Sequence, residues 1–335
     1  MHKIKVAQIG TSLHSHGNNI FESMIRQSDL FDIVGYALPE NEKEKFPERA
    51  KLFENYKELS VADILHNDEI EAVAIETEEE YLCKYAVLAA EHKKHIHMEK
   101  PGGQDLSEFE KLISLQKRNG KTFQTGYMYR YNPFVKDLLQ RIRRGALGEI
   151  ISVEAQMNCL HDERTREHLS RYRGGMMFFL GCHLIDLVLQ ICGIPDRIIP
   201  LNKSTGFSES GSTDFGMAVF EYKNGISFVK TCSLEPGGFS RRHLVVNGTK
   251  GSVEIRPLEI FTEVEDVLRS GKTEYTDLSA GWDYTGEYSE SLRFYRYDEM
   301  MAEFARMING EIVNPHTCDY ELELYRTLLK CCEVN

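Results

Sequence analysis

The spacing of apolar and polar positions changes character once along this chain, near residue 126. Residues 3–9 read as a buried strand and run into Gly10-Thr11-Ser12-Leu13-His14-Ser15-His16-Gly17, after which a helical period carries on to about Ser28. Strand, glycine-flanked polar loop and helix together form the first unit of a dinucleotide-binding fold. A second strand is expected at Ile33–Ala37, a charged helix around 41–53, and an N-cap at Ser60-Val61-Ala62-Asp63. Ala72–Ile75 is the third strand, 95–98 the next and Thr122–Thr125 another. Between them, Thr77-Glu78-Glu79-Glu80 opens a helix to about His92, with capping-box spacing from Thr77 to Glu80 and carboxylates that suit the helix dipole. Asp105-Leu106-Ser107-Glu108 caps a further helix. Such regular alternation implies an α/β domain with a doubly wound parallel sheet.

Beyond that point the pattern predicts a different architecture. Tyr131–Arg144 reads as a helix ended by Gly145 and Gly148, Glu149–Met157 as a long strand, and 158–173 as a polar loop rich in arginine and histidine. Gly174-Gly175 then precedes an apolar helix through Cys192. Segments 214–222, 226–233, 243–247 and 252–256 alternate without intervening helices, and Asn224-Gly225 between the first two is a hairpin signal. Two helices near 297–309 and 318–332 close the chain. The expectation is a Rossmann domain at 1–126 and an α+β domain with a largely antiparallel sheet at 127–335, for substrate binding and oligomerisation. A length of 335 residues is in keeping with two cores.

Composition narrows the partners. A net charge of −12 leaves no basic face for nucleic acid and no attraction to an anionic membrane, and no apolar run is long enough to span a bilayer. The first residues enter a strand directly, so no signal peptide is expected. The 8 cysteines are scattered without zinc-site spacing, so they read as reduced packing residues in a cytoplasmic protein. His92, His95 and His97 suggest a metal only superficially. Two of them share a strand face, but no third ligand accompanies them, and no metal is expected.

The candidate chemistry centres on His95-Ile96-His97-Met98-Glu99-Lys100-Pro101-Gly102-Gly103, where an acid, a base and a proline sit at a strand end. Ligands of open α/β sheets bind at the carboxyl ends of the strands, and a lysine there can be kept from bulk water and its proton used. Taken alone, a Glu-Lys-Pro is usually a surface turn. Here it is followed by Gly126-Tyr127-Met128-Tyr129-Arg130-Tyr131-Asn132-Pro133, and by Gly174-Gly175 leading to Gly181-Cys182-His183-Leu184-Ile185-Asp186. Together, in this order, the three motifs resemble those of the glucose–fructose oxidoreductase, inositol dehydrogenase and MocA (Gfo/Idh/MocA) family over essentially the whole chain.

The resemblance implies a Rossmann domain followed by an open-faced sheet used for homo-oligomerisation, and NAD(P)-linked oxidation or reduction of sugars, cyclitols and related polyols. It assigns Lys100 as the active-site lysine, His183 as the acid/base and Asp186 as a further position on the same helix, and it implies a cis Lys100–Pro101 peptide. The chemistry of the residues agrees. Oxidising a secondary alcohol needs a hydride acceptor, a base for the hydroxyl proton and a cation for the developing alkoxide. An imidazole titrates near neutrality, and an aspartate one helical step on could orient its ring. Gly10, Ser12, His14, Ser15, Thr77, Glu99 and Lys100 are the expected cofactor contacts. Tyr129, Arg130, Arg164, Phe179 and His183 are the expected substrate contacts, with Arg166, His168, Arg171 and Arg173 as weaker candidates from the polar loop.

Departures cluster around the cofactor. Ser12 and Ser15 stand where the fingerprint has glycines, and Leu38-Pro39 stands where relatives place the ribose acid, with Glu40 the nearest substitute. With no arginine adjacent, NAD is expected over NADP. Thr77-Glu78-Glu79 and Leu82 replace the usual Thr-Pro-Asn and histidine, and Phe179 replaces an aspartate four residues before His183. Two rivals to a simple dehydrogenase follow: an NAD-dependent glycoside-cleaving enzyme working by transient oxidation and elimination, and a non-enzymatic dinucleotide or sugar sensor.

Overall fold

Short, wholly apolar strands need cover on both faces, and the first sheet is built from them. The computed structural model describes residues 2–264, 266–276, 278 and 286–334. Strands β1 (Ile4–Ile9), β2 (Phe31–Ala37), β3 (Ala72–Ile75), β4 (His95–Met98) and β5 (Phe123–Thr125) form a parallel sheet in the order β2-β1-β3-β4-β5. All four residues of β3 are buried. The strand order reverses at β1, so the crevice at its carboxyl end is the expected ligand site. Register then decides which residues meet there. Ile9 pairs with Ile75 and Ile75 with Met98, so Gly10, Glu76 and Glu99 leave the sheet side by side.

The connecting helices are α1 (Gly17–Arg26), α2 (Glu42–Lys45), α3 (Pro47–Ala50), α4 (Val61–His66), α5 (Glu79–Glu91) and α6 (Leu106–Asn119). Ser60 and Asp63 form the expected capping box on α4, and the Asp105 side chain accepts from the Ser107 and Glu108 amides on α6. Two local expectations need correcting. The helix at 41–53 breaks at Pro47 into α2, α3 and a 3-10 turn at Lys51–Phe53, because proline cannot continue a helix through its missing N–H. The Thr77–Glu80 capping box does not form. Helix α5 is capped at Glu78 with no side-chain bond, while Glu79 and Glu80 still occupy the dipole-favoured first turn.

The chain divides into two units, Met1–Met128 with Tyr297–Tyr325, and Tyr129–Arg296 with Arg326–Asn335. The sequence reading had carried the second domain unbroken to the C-terminus. Within the first unit, α10 (Asp298–Ile308) is held on α1 by Asp298, which accepts from Ser23 Oγ at 2.7 Å and Arg26 Nη2 at 2.7 Å. Tyr325, on α11 (Cys318–Cys331), stacks on Phe109 with ring centroids 4.0 Å apart.

The second unit opens with α7 (Pro133–Arg143), whose N-cap Asn132 accepts from the Phe134 and Val135 amides. Its main sheet comprises β6 (Ile150–Asn158), β7 (Arg197–Lys203), β8 (Phe215–Tyr222), β9 (Gly225–Cys232), β10 (His243–Gly248), β11 (Gly251–Ile255), β14 (Gly271–Tyr275) and β15 (Glu287–Glu290). The order is β15-β14-β11-β10-β6-β9-β8-β7, antiparallel except for the parallel pair β6–β9. Strands β12 (Ile260–Phe261), β13 (Val267–Arg269) and β16 (Phe294–Tyr295) make a small second sheet. One face of the main sheet buries Val153, Ala155, Ala218, Phe220, Val229 and Leu244, and α9 (Cys182–Cys192) packs against β6 and β9.

The expected polar loop at 158–173 instead contains α8 (Glu163–Ser170), started by Asp162 accepting from the Thr165 amide. Strand β7 escaped the sequence pattern because it is an edge strand, interrupted by Pro200 and only partly buried. Strands β12 and β16, at two residues each, are too short to show a period. Among the described residues no helix is long and apolar enough to cross a membrane.

Candidate active site

At the carboxyl edge of the first sheet, Gly10 has φ +92°, and a Cβ there would lie 2.6 Å from Thr77 Cγ2 and 2.7 Å from the Thr77 nitrogen. Only glycine allows this approach of β1 to the end of β3. The loop that follows is tied down internally. The Thr11 amide donates to Glu42 Oε2 at 2.8 Å, the Ser12 amide to the Glu76 carbonyl at 3.0 Å, and the His16 amide to Glu99 Oε2 at 3.2 Å. Arg49 grips the same loop from the other side through the Thr11 and Ser15 carbonyls, at 3.0 and 3.1 Å.

Ser12 and Ser15, the residues at the missing glycine positions, are buried. Ser15 Oγ donates to the Ser12 carbonyl and accepts from the Gly17 amide, which opens α1. Their side chains therefore turn inward, away from the approach to the loop tip at Leu13-His14. With the Gly10 cradle, this loop fits a dinucleotide, although its sequence departs from the fingerprint.

Glu40, the expected substitute, and Glu42 both follow the second strand. Glu40 accepts from Tyr85 Oη and Lys84 Nζ, each at 2.6 Å, so both partners lie on α5. Glu42 is the carboxyl that reaches the loop. Burial pushes it up to about 7, against the lowering effect of the Thr11 amide. No sequence signal singled out Glu42, because its neighbours Lys43, Glu44 and Lys45 read as an exposed charged helix.

The Lys100–Pro101 peptide is cis. Lys100 is 2% exposed, and its Nζ lies 3.9 Å from Glu99 Oε1. Glu99 is itself buried. It accepts from the Lys100 amide at 3.0 Å and from His16 Nδ1 at 2.8 Å. Burial alone would raise its pKa, but His16 and Lys100 hold it below the ordinary carboxylate value. Beside it, Glu76 and His97 are both fully buried. Burial raises Glu76 well above its ordinary value and pushes His97 down to about 4. The sequence gives Glu76 no distinguishing signal, and nothing in it shows that register sets this residue beside Glu99. Among the described residues no group of three His, Cys, Asp or Glu is placed to hold a metal ion.

In the second unit His183 sits in the first turn of α9, 2% exposed, with the Tyr129 ring edge-on at 5.1 Å. Tyr129 Oη donates to Glu259 Oε2 at 2.6 Å, and Glu259 also accepts from Arg296 Nε at 2.6 Å and Arg242 Nη1 at 3.4 Å. This buried network fixes the face on which His183 rests. Its members lie far apart in sequence, and the sequence reading found only Tyr129. Asp186 forms a two-pronged ion pair with Arg130, Nε to Oδ2 at 3.0 Å and Nη2 to Oδ1 at 2.8 Å, and also accepts from Gln190. Phe179 lies in a π turn, Met177–Gly181, which interrupts the α-helical spacing to His183, and its ring meets His161 at 5.9 Å. Arg164 is exposed on α8.

Residues 4–127 match the oxidoreductase family with an NAD-binding Rossmann fold, and residues 135–254 match the GFO/IDH/MocA C-terminal domain. The chain belongs to the Gfo/Idh/MocA family. It is 26% identical to 2,7-anhydro-N-acetylneuraminate hydratase of Escherichia coli over 59% of this chain and 55% of that protein, so the match spans about half of that relative. It is 20% identical to the myo-inositol 2-dehydrogenase of Thermotoga maritima over 87% of this chain and 85% of that one. In fold it is similar to the WlbA dehydrogenase from Bordetella pertussis in complex with NADH and UDP-GlcNAcA, with TM-score 0.79, 14% identity, and coverage of 99% of this chain and 95% of that one. In this Gfo/Idh/MocA protein Lys100 ends a strand beside two buried carboxyls, Glu76 and Glu99, and a third, Glu42, holds the Thr11 amide.

Proposed function

We propose that this Gfo/Idh/MocA protein is an NAD-dependent oxidoreductase acting on a secondary hydroxyl of a sugar, glycoside or cyclitol. The observation that carries this reading is the buried Lys100 at a strand end of the dinucleotide crevice, its ammonium 3.9 Å from the Glu99 carboxylate. Gly10, Ser12, His14, Ser15, Thr77 and Glu99 would hold the dinucleotide, which supplies the hydride acceptor or donor. Lys100 polarises the reacting oxygen and His183 moves its proton. Tyr129 holds the imidazole from its edge, and Asp186 acts indirectly by fixing Arg130. Tyr129, Arg130, Arg164 and Phe179 remain the proposed substrate side. The Glu42 carboxyl behind the loop favours an unphosphorylated ribose, hence NAD over NADP.

The deciding experiment is a titration with each dinucleotide, followed by intrinsic fluorescence. NAD is expected to bind at least about tenfold more tightly than NADP, a difference of about 1.4 kcal/mol. Failure of both to bind at millimolar concentration would overturn the reading and leave a sugar sensor. The likeness to a hydratase supports a second reading, transient oxidation followed by elimination, in which product forms without net NADH. A polyol and glycoside panel followed both for NADH and for product separates the two.

A second copy of this chain is the proposed occupant of the open face of the large sheet. Leu201 pairs with Met217 and Ile199 with Val219 on that face, and Val219 lies opposite Phe228. Leu201 is 47% exposed, an apolar surface of the kind that marks an interface. Phe228→Asp is expected to turn an oligomer into a monomer in sedimentation velocity. A wild-type chain that sediments as a monomer refutes this.

A further inference from the structure

Two carboxyl groups meet in the interior of the first unit under very different conditions. Glu99 receives three N–H donors, from the His16 amide, the His16 ring and the Lys100 amide, with the Lys100 ammonium beyond. Glu76 receives none: among the described residues neither of its buried oxygens has a hydrogen-bond donor. Strand register places it beside Glu99, whose charge together with burial raises it, and its Oε1 lies 3.5 Å from His97 Nε2. That histidine nitrogen has no proton to give. Gln124 Nε2 donates to the Met300 carbonyl, which orients the amide so that Gln124 Oε1 accepts from His97 Nδ1–H at 2.9 Å. A neutral imidazole with its proton on Nδ1 presents only a lone pair at Nε2.

An ionised Glu76 would therefore be a buried charge facing a carboxylate on one side and a lone pair on the other, an arrangement proteins avoid by neutralising the group. We propose that Glu76 and Glu99 act as one acid that holds a single proton on Glu76, donated to Glu99 with His97 Nε2 as the alternative acceptor, and that this pair sets one negative charge rather than two against Lys100. Glu76 is thus a positioning residue: it acts on the site through Glu99. Its use there rests on the oxidoreductase reading, whereas the shared proton can be tested without turnover. The other charged groups around the pair are Arg49 on α3, whose charge opposes the rise of Glu76 but whose N–H groups go to the Thr11 and Ser15 carbonyls, and His16 at the start of α1, whose ring lies 5.2 Å from Tyr297.

The test is urea unfolding of the full chain against pH for wild type and Glu76→Gln, which mimics the protonated form. A carboxyl whose folded pKa is raised stabilises most at low pH, and the stability is lost as pH rises from the unfolded value towards the folded one. Relative to Glu76→Gln, the wild-type folding constant is expected to fall about tenfold per pH unit as pH rises above the unfolded glutamate value of about 4.3. His97, His16, Arg49 and Glu42 are common to both proteins and cancel in the comparison. A ratio that does not change with pH shows Glu76 ionised in the folded chain and overturns the proposal.

Should Glu76→Gln not fold, carbon-13 spectra of glutamate-labelled wild type give the same answer. A protonated carboxyl signal persisting above pH 8, where Glu42 has ionised, supports the pair, and its absence refutes it. Failure of the dinucleotide titration leaves these outcomes untouched, so the two proposals fail separately.

Discussion

Replacing Lys100 with methionine is expected to lower turnover by about 10²–10⁴-fold while the chain stays folded. The stem volume is retained, and Glu99 keeps its three N–H donors, so the buried carboxylate is not abandoned. What disappears is the Lys100 ammonium beside Glu99 and with it the proposed stabilisation of an alkoxide. His183→Ala is expected to cost a comparable factor through loss of the acid/base. Because the two residues are assigned to one proton-coupled step, the double variant should lose less than the product of the single losses. An unchanged rate in Lys100→Met would move the chemistry elsewhere, and full additivity would mean that the two residues serve different steps. Steady-state rates with circular dichroism on each variant decide the matter.

Asp186→Asn is expected to destabilise the second unit by about 3–5 kcal/mol in urea unfolding. The carboxylate and the Arg130 guanidinium are each 1% exposed, so the substitution leaves a guanidinium without its counter-charge in a low-dielectric interior. The sequence reading had made Asp186 a support for the His183 ring, and the two roles predict different outcomes. A support would lower turnover with little change in stability, whereas the Arg130 clamp lowers stability first. Replacing both partners with apolar residues, Arg130→Met with Asp186→Leu, should recover much of the loss, because the cost lies in the unpaired charge.

The elements and their order were legible from periodicity because burial imposes it. The first sheet needs apolar strands covered on both faces, and the second shows alternation because only one face packs on helices. The Asn224-Gly225 turn and the Ser60 and Asp105 caps were legible because local backbone geometry demands those residue types. Where several local signals competed, the pattern misled. Thr77 and Glu80 have the right spacing for a capping box, yet Thr77 packs under Gly10 and the helix begins without it.

For the candidate site, the sequence by itself determined the types of group available: a lysine at a strand end, a glycine at the one position where the backbone must turn under β3, and a histidine on an apolar helix. It did not determine their partners. Glu42 looked like one charge among several on a surface helix and is a buried carboxyl on the Thr11 amide. Glu76 carries no signal in the sequence, and strand register alone puts it beside Glu99. Asp186 was three residues from His183 on one helix, and the fold brought it Arg130. Side-chain chemistry is a property of the residue, but ionisation and pairing depend on which groups share a dry interior, and that is settled only when distant segments pack together.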